Sequence, residues 1–285
     1  MSSTALNSFK GRQLVIATMH HKERVMAPIL EQGLGVICTT PKDFDTDSFG
    51  TFSGETARTS DALTVARQKC LAAIVATDCD LAVASEGSFG PHPSAYFATA
   101  DDELVVLLDR ENQLEIIGRS VSFKTNFSGS SLATEQELWD FAAEAKFPTH
   151  GLILRPSQHS TEDMLKGIVS PNVLLEQFRY LKNKHQEVFV ETDMRALYNP
   201  TRMEIISMAT KQLVQHVQSL CTACQTPGFT ITDVKTGLPC SWCGSATSSV
   251  LSHIYSCKKC GFAKEQFYPN HKKTEDPGFC NYCNP

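Results

Sequence analysis

The sequence predicts an α/β fold: a mixed sheet flanked by helices over residues 1–218, then a small cysteine-rich module over 219–285. Apolar runs of strand length alternate with stretches of helical spacing through the first part, the pattern of strands covered by helices. The cysteines mark the second part. Eleven are present, and eight fall after residue 220. The charge divides at the same place. Residues 219–285 hold six Lys, no Arg and four acids, so the tail carries +2 and the body −7 of the chain's net −5.

The elements of the body follow in order. "RQLVIATM" reads as a first strand. "KERVMAPILEQG" follows with Val25, Ile29 and Leu30 on one helical face and Gly33 as its stop. "LGVICTT" is a second strand, and "SDALTVARQKCLAAIVATD" a helix capped by Ser60 or Asp61. "DLAVAS" is a third strand. "ELVVLLDRENQLEIIGRSV" alternates around "REN" and reads as a hairpin. "TEQELWDFAAEAK" opens with a Thr134–Glu137 capping box. "HGLILRP" is a strand, "NVLLEQFRYLKNKH" a helix and "EVFVETDM" a strand. The last helix starts at "NPTRMEII", with Asn199 as cap and Pro200 in first position, and runs to about Leu220.

The eight late cysteines form four CxxC pairs: Cys221/Cys224, Cys240/Cys243, Cys257/Cys260 and Cys280/Cys283. A CxxC turn points two thiolates at one spot, and two turns complete a tetrahedral four-sulfur site. Four pairs therefore predict a zinc-ribbon module with two zinc ions. Such sites have no open position for water, which makes them structural. A sequential joining places a short hairpin, "GFTITDVKTGLP", between the first two pairs; a nested joining closes the outer pairs around the inner ones. Both remain open here. Cys38, Cys70 and Cys79 lie among apolar residues and read as core fillers.

In open α/β sheets ligands sit outside the carboxyl ends of strands. After strand one stand Thr18, His20, His21, Lys22 and Glu23, where a hydroxyl, a Lys and a helix start suit phosphate. After strand two, Asp43, Asp45 and Asp47 invite calcium, but Ser48 and Gly54 stand where that loop needs Gly and Glu. The segment reads instead as an ordered loop over the site, to which Glu55 contributes. After strand three, "ASEGSFGPHP" places Glu86 at the end of an apolar run, with Gly87 and Gly90 opening the backbone to a ligand. After the late strand, Glu191, Asp193 and Arg195 alternate onto one face. Arg202 stands in the first turn of the last helix, where the dipole disfavours a cation.

The expected site is thus three carboxylates, Glu86, Glu191 and Asp193, as the catalytic and metal-holding groups. Thr18, His20, Lys22, Lys69, Arg195 and Arg202 bind phosphate. Carboxylates hold a hard cation such as magnesium and the cations hold phosphate, the kit for hydrolysing a nucleotide or related phosphorylated molecule. A zinc enzyme built on His20, His21 and His92 lacks ligand spacing. The other reading is a ligand-sensing adaptor, its zinc ribbons docking on protein or nucleic acid through Lys258, Lys259, Lys264, Lys272 and Lys273 with Trp242, Tyr255, Phe267 and Tyr268. No apolar run approaches the ~18 residues of a membrane span, and "MSSTALNSFKGR" has no apolar signal core, so the cytoplasm is the expected compartment.

Along "ATMHHKE", "FDTDSFGTF", "ASEGSFGPHP", "FPTHGLILRP", "ETDMRALYNPTRM" and the tail ending "CNP", the chain resembles an uncharacterised, mostly bacterial family known as a domain of unknown function. Over residues 12–110 the order "VIATMHHKE", "TSDALTVARQKC", "DLAVASEGSFG" is also similar to the inosine-triphosphatase-like nucleotide pyrophosphatases. That resemblance implies Thr18 and Lys22 in a phosphate loop, Lys69 as a helix-borne lysine and Glu86 as the magnesium-holding acid. This chain's loop is one residue shorter, has His20 where Asn is usual, and has Ser85–Glu86 in place of paired acids.

Overall fold

The computed structural model describes residues 8–42, 44, 61–92, 94–185 and 187–285. Asp43, Asp45, Asp47, Ser48, Gly54, Glu55 and Ser60 lie outside them. The chain divides into a unit of Phe9–Val214 and one containing Gln215–Pro285.

The first unit begins with β1 (Gln13–Ala17), α1 (Glu23–Leu34), β2 (Ile37–Thr39), α2 (Ala62–Thr77), β3 (Leu81–His92), β4 (Ala95–Asp109) and β5 (Leu114–Ser122). These strands form a mixed sheet in the order β2-β1-β3-β4-β5. β1 is parallel to β2 and β3, whereas β3, β4 and β5 run antiparallel. The chain steps from β1 outward to β2, then back across β1 to β3. Right-handed crossovers in opposite directions put their helices on opposite faces. Accordingly Ala66, Cys70, Ala73 and Ile74 of α2 pack on Val15, Ala17, Ala82, Ala84 and Val106. Each of those strand positions is two residues from the next on its strand, as one sheet face requires. On the other side Gly118 of β5 lies against the backbone of Ala209 and Leu213, and Gly33 of α1 lies against Val214. Both contacts are to α5 (Pro200–Gln218), the last helix.

The expected α1 stop moves by two residues. Gly33 stays helical, and Gly35 ends the helix in the left-handed region (φ 70°) with its N–H on the Glu31 carbonyl. Asp61 caps α2, its side chain accepting the Thr64 N–H.

A second sheet completes this unit, where the sequence suggested one. It comprises β6 (Gly129–Leu132), β7 (Leu152–Arg155), β8 (Leu165–Ile168) and β9 (Val188–Thr192), antiparallel in the order β6-β9-β7-β8. β6 and β8, "GSSL" and "LKGI", are too short and too polar to stand out by alternation. The helices α3 (Glu135–Glu144) and α4 (Pro171–Lys184) pack on it through Leu138, Phe141, Leu174, Phe178 and Leu181, against Leu152, Leu154, Val188 and Val190. The Thr134–Glu137 capping box is present with both its bonds.

In the second unit β10 (Thr230–Thr236), β11 (Val250–Ser256) and β12 (Ala263–Phe267) make an antiparallel three-stranded sheet. "GFTITDVKTGLP" therefore gives one strand, paired with β11, and not a hairpin of its own. Among the described residues no helix is long and apolar enough to cross a membrane.

Candidate functional site

The charged residues of interest gather where the strand order reverses, at the carboxyl end of β1 and beside the middle of β3. Beyond β1 the chain turns sharply. Thr18 Oγ1 accepts the His20 N–H (3.2 Å), and His21 takes a left-handed conformation (φ 58°) and pairs with Glu23 (3.4 Å). This turn delivers Lys22 inward, 7% exposed, where its Nζ donates to both the carbonyl and the hydroxyl of Ser85 at 3.0 Å. Burial lowers the Lys22 pKa to about 7. The Arg202 charge pushes the same way, and Glu86 and Glu103 resist. The amine therefore titrates near neutrality.

β3 does not end at Ser85 as its sequence suggested; it continues to His92, paired throughout with β4. Glu86 is thus a mid-strand residue, 3% exposed, on the α2 face. There Lys69, the buried cation of α2, donates to Glu86 Oε1. Ser85 and Gly87 face the other way. Gly87 has the role of close approach, but toward its own protein. A Cβ there would stand 2.3 Å from Glu103 Oε1 and 2.8 Å from Arg202 Nη2.

Those two groups form the other half of the cluster. The Arg202 N–H is capped by Asn199 Oδ1 (3.0 Å), as the sequence implies. Its guanidinium is 1% exposed, donates from Nε to Glu103 Oε1 (2.5 Å) and from Nη1 to the Met194 carbonyl (2.5 Å), and lies over the Phe89 ring. The cation in the first turn of α5 is held by this anion, not by the helix. Two residues before Glu103 on the same face of β4 is Asp101, 1% exposed. Both its carboxyl oxygens and Glu103 Oε2 are buried and accept no hydrogen bond from an N–H or O–H of the described residues; the two carboxyls are close enough to share a proton. Burial, then the Glu103 charge, raises Asp101 to about 8, against the pull of Arg202.

Three cations and three carboxyls thus lie close enough to influence one another through this part of the sheet, Lys69 with Glu86 on the α2 face and Lys22, Arg202, Asp101 and Glu103 on the other. Of the residues expected from the sequence, Lys22, Lys69, Glu86 and Arg202 come together, with Thr18 in the adjoining turn. His20 is part of that turn. Glu191, Asp193 and Arg195 take partners elsewhere. Glu191 pairs with Arg155 of β7. Asp193 pairs with Arg195 (2.6 Å) and accepts the Gly167 N–H (3.0 Å). These three residues are thus ion-paired on β9, an interior strand of the second sheet, and just beyond its end. Ser85, Asp101 and Glu103 are residues that sequence reasoning missed. Their signal is in "TADDELVVLL", where Asp101 and Glu103 share one strand face directly before a buried run.

The cysteines make two further clusters. Each CxxC closes a tight turn, with the N–H four residues on bonded to the first Cys carbonyl, as Gln225 to Cys221 (2.8 Å) and Gly244 to Cys240 (3.0 Å). Gln225, Gly244 and Gly261 follow their pairs in left-handed conformations. Cys221, Cys224, Cys257 and Cys260 form one group and Cys240, Cys243, Cys280 and Cys283 the other; within each, all four sulfurs lie inside 4.8 Å of one another, so each can hold a metal ion. First joins third and second joins fourth, neither sequential nor nested. The sheet explains it: β10 runs from the first pair to the second and β11 returns from the second to the third, so pairs one and three lie at the same end.

A family model, Domain of unknown function (DUF6671), matches residues 69–285. The chain belongs to this family. The DUF6671 match spans Lys69, Glu86, Asp101, Glu103, Arg202 and all eight late cysteines, while Thr18 and Lys22 precede it. No curated protein matches the chain.

Proposed function

We propose that this DUF6671 protein is a magnesium-dependent hydrolase of a nucleotide or a related phosphorylated small molecule, with two structural zinc ions in its tail. The observation that carries the reading is the cluster of six buried ionisable groups at the strand-order reversal, the place where α/β sheets bind ligands. Lys22, Lys69 and Arg202 neutralise phosphate oxygens. A bound phosphate dianion raises the Lys22 pKa and so charges the amine when substrate arrives. Glu86, buried beside Lys69, orients the attacking water. Magnesium stabilises charge on the phosphoryl oxygens. The likeness of Lys22, Lys69 and Glu86 to the inosine-triphosphatase-like pattern supports the substrate class. Glu191, Asp193 and Arg195 hold the second sheet together.

For the tail, a sulfur tetrahedron around zinc at 2.3 Å has edges of about 3.8 Å. The contacts Cys221–Cys260 (3.7 Å), Cys224–Cys257 (3.6 Å), Cys240–Cys283 (3.9 Å) and Cys243–Cys280 (3.7 Å) fit that size. Eight free thiols so arranged suit the reducing cytoplasm.

The test is turnover. Full-length protein with magnesium is offered nucleoside triphosphates and phosphomonoesters, and phosphate or pyrophosphate release is measured. Release from at least one, lost in Glu86→Gln, is expected; no release from any sinks the proposal. A second reading, docking of the tail on protein or nucleic acid, is favoured by one observation. Trp242 and Tyr282 hold the same position in the two turns of one centre, 79% and 78% exposed. It requires that a captured partner be lost in Trp242→Ala/Tyr282→Ala.

A further inference from the structure

We propose that Asp101 and Glu103 form a divalent-cation site of the hard, oxygen-seeking class represented by magnesium and manganese. The inference rests on the hydrolase reading of the same cluster and names the residues that hold its metal. Glu86, Glu191 and Asp193, the carboxylates expected for that task, are each bound to a cation of the protein: Lys69, Arg155 and Arg195. Asp101 and Glu103 differ. Three of their four oxygens are buried and have no donor among the described residues, and only Glu103 Oε1 is held, by Arg202.

Buried acceptors without partners are costly, and two carboxyls side by side repel when both are ionised. One shared proton relieves the repulsion but joins only two oxygens, leaving the third unsatisfied. A cation engages all three. Magnesium is held in this way, by one or two carboxylates, and completes its shell with water and phosphate oxygens. The rest of the geometry suits a ligand pair. Asp101 and Glu103 are two residues apart on one strand face, a rigid support. Arg202 fixes the Glu103 carboxylate from behind, as outer partners orient metal ligands. Gly87, opposite Glu103 in the ladder, leaves room for the carboxylate to lie flat against β3. The charge also closes. With a divalent cation balancing the pair, Lys22 and Arg202 give that side of the sheet the net positive charge a phosphate dianion needs, while Lys69 and Glu86 balance each other on the α2 face.

Manganese serves as the probe on full-length, zinc-loaded protein, because its paramagnetic resonance separates bound from free ion. Wild type is expected to bind one equivalent, displaced by excess magnesium. Asp101→Asn, nearly the same shape, is expected to weaken binding at least tenfold, and Glu191→Gln to leave it unchanged. Thermal unfolding of each variant checks the fold, and Asp101→Ser repeats the measurement where Asn does not fold. Absence of manganese binding by wild type at millimolar concentration overturns the site, as does undiminished binding by a folded Asp101 variant. Binding lost in Asp101→Asn with no turnover of any phosphate compound leaves the cation site standing and defeats the hydrolase reading. Metal-dependent turnover indifferent to Asp101→Asn does the reverse.

Discussion

Replacing Arg202 by Met tests whether the ionic cluster holds the body together. The side chains of Arg202 and Glu103 are 2% and 0% exposed, so their attraction is little screened by water. The substitution removes the bonds to Glu103 and to the Met194 carbonyl and leaves two buried carboxyls facing each other without a hydrogen-bonded cation. Breaking a buried pair on one side costs about 3–5 kcal/mol. For a unit of this size, each kcal/mol lowers the melting temperature by about 2–4 °C. A drop of roughly 6–20 °C follows, read by urea and thermal unfolding of the full chain. Adding Glu103→Gln removes the uncompensated charge and gives Asp101 an amide donor, so the double variant should be more stable than Arg202→Met alone. The pH adds a third arm. Without Arg202 the carboxyls protonate more readily, so the loss should be smaller at pH 5 than at pH 8. A loss under about 1 kcal/mol, or single costs that merely add in the double variant, refutes the coupling.

The zinc pairing predicts stoichiometry. Cys221→Ser with Cys257→Ser should cost one zinc of two by elemental analysis, whereas Cys257→Ser with Cys280→Ser should cost both; the reverse losses would return the sequential pairing, and loss of both in each variant the nested one. Two titrations should shape stability against pH without added divalent cation. Asp101, raised from 3.8 to about 8, binds more protons folded than unfolded, so its contribution falls as pH rises from about 4 to 8. Lys22, lowered from 10.5 to about 7, binds fewer when folded, so its contribution rises from about pH 7 to 10.5. Asp101→Asn should flatten the first limb and Lys22→Met the second, in urea titrations across pH 5–9.5. Gly118→Ala, whose Cβ would stand 2.3 Å from the Ala209 carbonyl oxygen, should lower the melting temperature severely; Gly90→Ala, with nothing within 4 Å, should leave it within a degree or two.

What the sequence made legible was local. The capping box at Thr134, the Asn199 cap, the β4–β5 hairpin and the CxxC turns each depend on neighbours within a few residues. The α/β class follows from periodicity in the same way. The second sheet was not legible, because β6 and β8 owe their strand state to partners far along the chain. The cysteine pairing was hidden for the same reason: the return of β11 along β10 decides it, and spacing does not record that return. At the site, position was legible and partnership was not. Lys22, Lys69, Glu86 and Arg202 could be picked out as charges at strand ends and helix starts. That Arg202 belongs to Glu103, 99 positions away, is a fact of packing.

The contrast within β3 bears on what the cluster is for. Leu81 to Ala84 are apolar and fully buried, so this fold packs the strand with aliphatic side chains where it needs only a core. From Ser85 onward the same strand, equally buried through Gly87, is surrounded by charge. Replacing a buried ion pair by well-packed apolar residues is often neutral or stabilising by about 1–4 kcal/mol. Six buried ionisable groups are therefore not the most stable solution open to this sheet, and the first half of β3 is an example of the alternative. This cluster lies just past the segment where β3 runs parallel to β1, the end at which α/β folds bind ligands. At the other end of the sheet Arg12 pairs with Asp109 but also with Asp80 and Glu111, whose side chains are 50% and 60% exposed, an ion pair joined to the surface. Charge that is buried and clustered on this part of the sheet, apart from the surface, favours a binding role over a structural one, and Asp101 is the residue whose substitution distinguishes them.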